Sequence, residues 1–342
     1  NAFYQGWIAK KIVAAVQQSA IAPGRLTLDD MKNYRAKELP AVCGPYRQYQ
    51  VCGMAPPSSG GVAIIQILGQ LEPFNIAKYS MSDAQFSHLF TQSSRLAFAD
   101  RNRYIADSSF VNVPTQGLIE KSYMAQRSAL INLDKDMGTA HAGAPTGALV
   151  QADDNAYELP STSHISIVDE DGNAISMTTS VEMGFGSAVM VEGFILNNQL
   201  TDFSLDPKQN GQWVANRLEP GKRPRSSMAP MMVFDQDKAL KLVIGSPGGS
   251  RIINYVAQTM IAILDWQLDP QSAINLPHLT NRNKVTTLEK GTDLVKLKSA
   301  LEAKGHQVVV RDLNSGIQAI ELSNGKLRGG ADPRREGTAV GY

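Results

Sequence analysis

Chemistry in this chain can start from a few short stretches whose residue types suit nucleophilic attack and anion binding. Ser161-Thr162-Ser163 is a hydroxyl cluster that closes a long segment without periodicity and opens a β-like run. If the chain were cut before Thr162, the new α-amino group would lie beside the Thr162 hydroxyl and act as its general base. One residue would then supply nucleophile and base. The same residues also fit ordinary hydroxyls at a strand edge. Gly245-Ser-Pro-Gly-Gly-Ser250 falls between an apolar strand-like run and a helical pattern that begins at Arg251. Successive glycine N–H groups at a helix start form a concave donor site for an oxyanion or carboxylate. A tight strand-to-helix turn uses the same sequence. Lys222-Arg-Pro-Arg-Ser-Ser-Met228 offers two adjacent hydroxyls, Ser226 and Ser227, that suit a carboxylate or the capping of a loop.

Several other chemistries lose their basis on inspection. The chain has no GxSxG elbow, no GxxxxGK[ST] loop and no GxGxxG after a strand, which argues against the common nucleophile-elbow and nucleotide-binding classes. The 5 His never pair at ligand spacing and the 2 Cys form no CxxC, so neither a metal site nor a cofactor is implied. Lys and Arg number 33 against 32 Asp and Glu, for a net charge of +1. That leaves no basic surplus for nucleic acid. No apolar run reaches the roughly 18 residues of a membrane-spanning helix. Cys43 and Cys52 flank Gly44-Pro-Tyr-Arg-Gln-Tyr-Gln-Val51, whose Gly-Pro turn suggests a hairpin or paired extended segments. A disulfide in an oxidising compartment and two separately buried thiols both fit that arrangement. The chain opens at Asn1 inside a helix-like pattern, without Met or a signal-like segment, which leads us to expect a piece of a longer precursor.

The elements that must position these groups divide the chain in two. Helical spacing covers residues 3–18, and Thr27-Leu-Asp-Asp30 has the form of an N-cap before residues 31–34. An extended piece follows over 46–54, then a turn-rich PPSSGG at 56–61, and helices over 62–71, 82–101 and 120–131. Residues 134–159 turn to Gly, Ala, Asp, Thr and Pro without period, which predicts a linker or a mobile loop. From Ser163 two alternating runs joined at Asp171-Gly172 predict a β-hairpin whose first strand looks buried. Further strands are expected over 194–197, 229–235, 240–244, 284–288, 306–311 and 317–322, with helices over 251–266, 270–274 and 292–304. Helices flanking a mostly antiparallel strand set make a layered α/β body, and 43% hydrophobic residues supply its core.

Taken in order, the stretches resemble the γ-glutamyltranspeptidase family. The resemblance is carried by Thr162-Ser-His-Ile-Ser-Ile-Val-Asp-Glu-Asp-Gly-Asn173, Phe185-Gly-Ser187, Ile195-Leu-Asn-Asn-Gln-Leu-Thr-Asp-Phe203, Lys222-Arg-Pro-Arg-Ser-Ser227 and Gly245-Ser-Pro-Gly-Gly-Ser-Arg251. Upstream, the run from Tyr46 to Gly61, Ala97-Phe-Ala-Asp-Arg-Asn-Arg-Tyr104 and the final Gly341-Tyr342 are similar as well. The resemblance implies an N-terminal-nucleophile hydrolase, an αββα four-layer sandwich, made as a precursor that cuts itself between Ser161 and Thr162. Residues 1–161 would be the C-terminal part of the large subunit, ending in the mobile linker, and 162–342 the whole small subunit. The rest of the large subunit would lie N-terminal to this sequence.

Carried over residue by residue, the family implies a γ-glutamyltransferase and glutathione hydrolase. Thr162 would take the γ-glutamyl group of glutathione or another donor as an ester and pass it to water, an amino acid or a peptide amine. Ser180 stands at a hydroxyl position that hydrogen-bonds the nucleophile during processing. Gln199 and Asp202 match residues that hold the donor ammonium, and Ser226 and Ser227 those that receive its α-carboxylate. Gly248 and Gly249 match the oxyanion-hole glycines. Glu182 stands where many members have Asn and would strengthen ammonium binding or alter the acceptor side. Residues 205–221, with Trp213, replace the family's active-site lid in a shorter form. The family's carboxylate-binding Arg is expected N-terminal to this sequence, leaving neutral Ser226 and Ser227 as the carboxylate partners here. Family members are exported, so the resemblance implies a periplasmic or extracellular protein. Two other readings remain open: a cephalosporin- or glutaryl-acylase relative whose substrate lacks the ammonium, and an unprocessed, inactive chain in which Thr162 stays internal.

Overall fold

Two helices are mostly apolar, and their few polar side chains, Gln66, Gln70, Asn254, Gln258 and Thr259, are buried as well, which places both in the interior. Gly60–Leu71 is buried at each residue, and Ile252–Leu264 from Ile252 to Ile263. Together with Ala84–Tyr104 they lie on one face of an antiparallel six-stranded sheet. The computed structural model describes residues 2–156, 161–323 and 325–341. Residues 157–160, the last part of the expected linker, and Tyr342 lie outside the described residues. The sheet runs in the order Val42–Tyr46, Tyr49–Gly53, Met231–Phe234, Leu240–Gly245, Gln318–Ser323 and Lys326–Ala331. Both halves of the chain therefore share one sheet, and Val51, Val233, Leu242 and Ile244 meet Ile64, Ile65, Ile253 and Met260 in one core.

The hairpin Ser163–Val168 with Ala174–Thr179 lies on the opposite face of that sheet, as a second β layer. Its alternation is real, but its orientation corrects the expectation of a buried strand. The inward side carries His164, Ser166, Ser176 and Thr178. Ser166 Oγ donates to the Gln318 carbonyl at 3.3 Å and Ser176 Oγ to the Ile244 carbonyl at 3.1 Å. Small polar side chains let the two layers approach closely and bond across. The apolar members, Ile165, Ile167, Ile175 and Met177, face outward and are 43–51% exposed. The described residues thus form helix, sheet and second sheet in that order, with none of them covering this outer apolar face.

Other local expectations are modified by contacts. The first hairpin turns at Arg47-Gln48, and Gly44-Pro45 lies within its first strand. Pro45 is tolerated there because that strand is the sheet's edge. Arg47 takes a φ of 52° while its guanidinium bonds Asp265 Oδ1 at 2.9 Å and the Glu72 carbonyl at 2.8 Å. Cys43 and Cys52 face each other across the hairpin and form a disulfide. The first helix is Trp7–Gln17, and Leu28–Asn33 has a capping box between Thr27 and Asp30. Residues 134–156 contain no helix or regular strand, as expected, yet they are fastened to the body. Asp136 pairs with Arg95 at 3.0 Å, Gly143 N donates to Asp100 at 2.8 Å, and Ala140 N to Asn283 at 2.7 Å.

Candidate active site

The register of the inner hairpin sets the first contact. Ser163 pairs with Thr179, so the next positions outward, Thr162 and Ser180, fall side by side at the hairpin's open end. Their hydroxyl oxygens are 3.4 Å apart. Thr162 Oγ1 also lies against the carbonyl oxygen of Ser161, to which Ser180 Oγ donates at 3.3 Å. Glu182 N–H donates to Ser180 Oγ at 2.8 Å, and Arg335 Nη1 to the Thr162 carbonyl at 3.2 Å. The peptide bond joining Ser161 to Thr162 is thereby ringed by two hydroxyls. Glu182 is buried and adopts a φ of 75°, which turns the chain sharply after the strand.

One cleft gathers Thr162, Ser180, Glu182, Gln199, Asp202, Ser226, Ser227 and Gly249, along with Ser161 and Arg225. Gln199–Asp202 is a single 3-10 turn, and Asp202 is only 8% exposed. Ser226 and Ser227 are held by the PPSSGG loop. Ser59 donates both N–H, at 2.8 Å, and Oγ, at 2.7 Å, to the Ser226 carbonyl, while Ser226 N–H reaches the Pro57 carbonyl at 3.1 Å. Gly248 and Gly249 have φ of 135° and 60°. A side chain at Gly248 would also come within 2.8 Å of the Tyr255 ring. Both positive-φ positions are readily open to glycine, and they place this turn at the start of a helix, a setting whose free amides suit an anion. Gly249–Arg251 then leads directly into the helix Ile252–Leu264.

Charge is closer to the two serines than the sequence suggested. Arg101, buried in the helix Ala84–Tyr104, donates Nη2 to Ser227 Oγ at 2.5 Å and Nε to Ser59 Oγ at 2.8 Å. Arg225 lines the cleft beside Ser226. An omission of the sequence reading, which names only the hydroxyls of Ser226 and Ser227 as carboxylate partners, is the Arg101 guanidinium behind Ser227. The physical reason for the omission is distance in sequence: Arg101 and Ser227 are 126 residues apart and meet only because helix and sheet pack together. A signal did exist in Ala97–Tyr104, where an arginine stands among buried apolar neighbours and must find a polar partner.

His164, two residues beyond Thr162, lies over Gly245, where any side chain would strike its ring at 2.2 Å. Burial pushes its imidazole down to about 4, so it is neutral near pH 7. Its ring nitrogens meet Thr178 Oγ1 at 2.8 Å and Ser166 Oγ at 3.1 Å. Among the described residues no group of three or more His, Cys, Asp or Glu side chains is arranged to hold a metal ion. None of their helices is long and apolar enough to cross a membrane.

The family profile described as Gamma-glutamyltranspeptidase matches residues 1–342. The chain is 37% identical over 344 residues to a glutathione hydrolase proenzyme of Escherichia coli (strain K12), covering 97% of this chain and 57% of that protein. It is 36% identical over 354 residues to a glutathione hydrolase proenzyme of Bacillus subtilis (strain 168), covering 100% of this chain and 59% of that one. A crystal structure of cephalosporin acylase from Bacillus halodurans is similar with a TM-score of 0.82 at 27% identity, over 100% of this chain and 59% of that one. The chain thus spans about three fifths of the length of the curated relatives it matches.

Proposed function

The chain belongs to the γ-glutamyltranspeptidase family, and from that premise we propose that it forms the catalytic part of a self-cleaving γ-glutamyltransferase and glutathione hydrolase. Its fold is the α/β fold of N-terminal-nucleophile hydrolases. The observation that carries the reading is the convergence of Thr162, Asp202, Ser226-Ser227 and Gly249 on one cleft. In the uncut chain, Thr162 Oγ1 adds to the Ser161 carbonyl carbon, assisted by Ser180. The C–N bond breaks as the nitrogen takes up a proton, and water hydrolyses the resulting ester. Thr162 is left with a free α-amino group. In turnover that amine accepts the hydroxyl proton as Oγ1 attacks the donor's γ-carbonyl. Gly248 and Gly249 N–H groups stabilise the oxyanion. Collapse expels the leaving amine with the proton, and water or an acceptor amine then releases the γ-glutamyl group from the ester.

In this reading Asp202 and Gln199 hold the donor's α-ammonium, with Glu182 adding negative charge nearby. Ser226 and Ser227 hold its α-carboxylate, with Arg101 behind Ser227 supplying positive potential. The likeness to cephalosporin acylase supports a second reading, an amidohydrolase for side chains without the ammonium. Asp202 favours the first, because a carboxylate lining the cleft offers an ammonium a charged hydrogen-bond partner that a side chain lacking it does not use. The Cys43–Cys52 disulfide supports a periplasmic or extracellular location. The outward apolar face of the inner hairpin supports a further polypeptide layer, the remaining part of the large subunit, as a partner. The reading is tested with Thr162→Ala and Thr162→Ser in the full-length protein, by intact mass and turnover of a γ-glutamyl anilide. Thr162→Ala should leave one uncut chain without turnover, and Thr162→Ser should keep some of each. Release of the chromophore by the Ala variant would remove Thr162 as nucleophile.

A further inference from the structure

The segment upstream of the cut is tied to the cleft by a buried polar knot. Asp154, with its side chain wholly buried, pairs with the Arg225 guanidinium at 2.7 Å and accepts from Asn216 Nδ2 at 2.9 Å. Asn216, itself 0% exposed, also donates Nδ2 to the Asp202 carbonyl at 2.8 Å and accepts from Arg225 N–H at 2.9 Å. One amide side chain therefore joins the turn holding Asp202 to the segment leading into Ser226-Ser227, and Asp154 closes the knot from a third piece of chain. Around it, Ala152 N–H reaches the Trp213 carbonyl at 3.0 Å and Asn155 Nδ2 reaches Asp206 at 3.1 Å. Residues 152–155 lie along the 204–217 loop like a clasp.

Between Asp202 and Ser226 the chain has only two-residue strands, Lys208–Gln209 and Gln212–Trp213. Local structure thus supplies little to fix the distance between these two groups. If they hold the ammonium and carboxylate of one amino acid, that distance decides how well the donor is held. We infer that Asp154 is a positioning residue: through Asn216 and Arg225 it sets the spacing between the donor's ammonium and carboxylate partners. The bonds it makes do not involve the Ser161–Thr162 peptide, so breaking that peptide removes none of them directly. The inference rests on the proposed function and adds to it a residue that touches no reacting atom. The guanidinium and amide are desolvated, where a charged hydrogen bond is strong, so removing the carboxylate's charge loosens both neighbours.

The test uses the full-length protein with Asp154→Asn, Asp154→Glu and, as control, Asp153→Asn. Asp153 is the adjacent carboxylate, half-exposed and paired with Arg103. Asp154→Asn keeps the size of the side chain and removes the charge facing Arg225. Its KM for a γ-glutamyl anilide and the inhibition constant of L-glutamate should rise together by about ten-fold or more, with kcat per titrated site within about two-fold. Asp154→Glu should recover part of the loss, and Asp153→Asn should match wild type. A merely structural role would reduce the amount of folded enzyme and its Tm without moving donor KM. Amide-hydrogen exchange provides a readout free of turnover: on the uncut Thr162→Ala background, Asp154→Asn should speed exchange in residues 199–204 and 214–217. An active enzyme with unchanged donor KM, or unchanged exchange in those segments, overturns the inference. A wild-type protein without γ-glutamyl turnover overturns the proposed function instead, and the exchange comparison then decides the clasp alone.

Discussion

Replacing Asp202 by Ala separates the two enzymatic readings of the cleft. Asp202 is buried, and its backbone carbonyl, not its side chain, receives the Asn216 amide that staples the loop. The variant therefore keeps that bond while losing the carboxylate proposed to face the donor's ammonium. A hydrogen bond to a charged partner is worth about 1.5–3 kcal/mol. At about 1.4 kcal/mol per decade this predicts a fall in kcat/KM of roughly ten- to one-hundred-and-fifty-fold. The assay is steady-state hydrolysis of two anilides, one γ-glutamyl and one glutaryl, which share the terminal carboxylate and differ only in the α-ammonium. The loss should fall on the γ-glutamyl substrate alone, with the urea midpoint little changed. Equal losses on both substrates, or a loss that tracks a drop in folded protein, would refute the ammonium role and return the acylase reading.

Other consequences follow from the same geometry. Ser180→Ala removes the donor to the Ser161 carbonyl and should slow self-cleavage by up to about ten-fold, the worth of one hydrogen bond; time-resolved gel analysis of the precursor at wild-type speed would exclude that role. His164 has a folded value near 4, below the roughly 6.5 of an unfolded imidazole. The folded state binds fewer protons in that window, so this contribution is complete above about pH 6.5 and is lost as pH falls toward 4. The full loss is about 3 kcal/mol. Urea unfolding at pH 7 and 4.5 should show a flatter pH dependence in His164→Gln, and identical slopes would show that His164 is not the titrating group. The 342-residue chain on its own exposes Ile165, Ile167, Ile175 and Met177 together and should self-associate in sedimentation. Ile167→Thr with Ile175→Thr should shift it toward monomer, and an unchanged distribution would place the association elsewhere.

Local signals were readable wherever one segment contains its own reason for folding. The alternation over 163–179 with Asp171-Gly172 between predicts the inner hairpin, because side chains in a strand alternate between its faces. Thr27 with Asp30 marks a helix start, because the capping box lies within four residues. The motifs from Thr162 to Arg251 are legible for a related reason: tight turns and nucleophile positions constrain residue type at each place. Alternation does not say which face meets the sheet, and here the inward side is the polar one, chosen by bonds to Gln318 and Ile244 from distant strands. Nor does local patterning reveal Lys326–Ala331, a glycine-containing edge strand that exists because Gln318–Ser323 offers it a ladder. The first hairpin turns at Arg47 because Asp265 and Glu72, far away in sequence, receive its guanidinium. Arg101 on Ser227 and Asp154 on Arg225 belong to the same class. A buried charge must be paired, and the sequence states that need at each arginine. The partner is decided only when packing brings the helices, the sheet and the segment before Thr162 to one place.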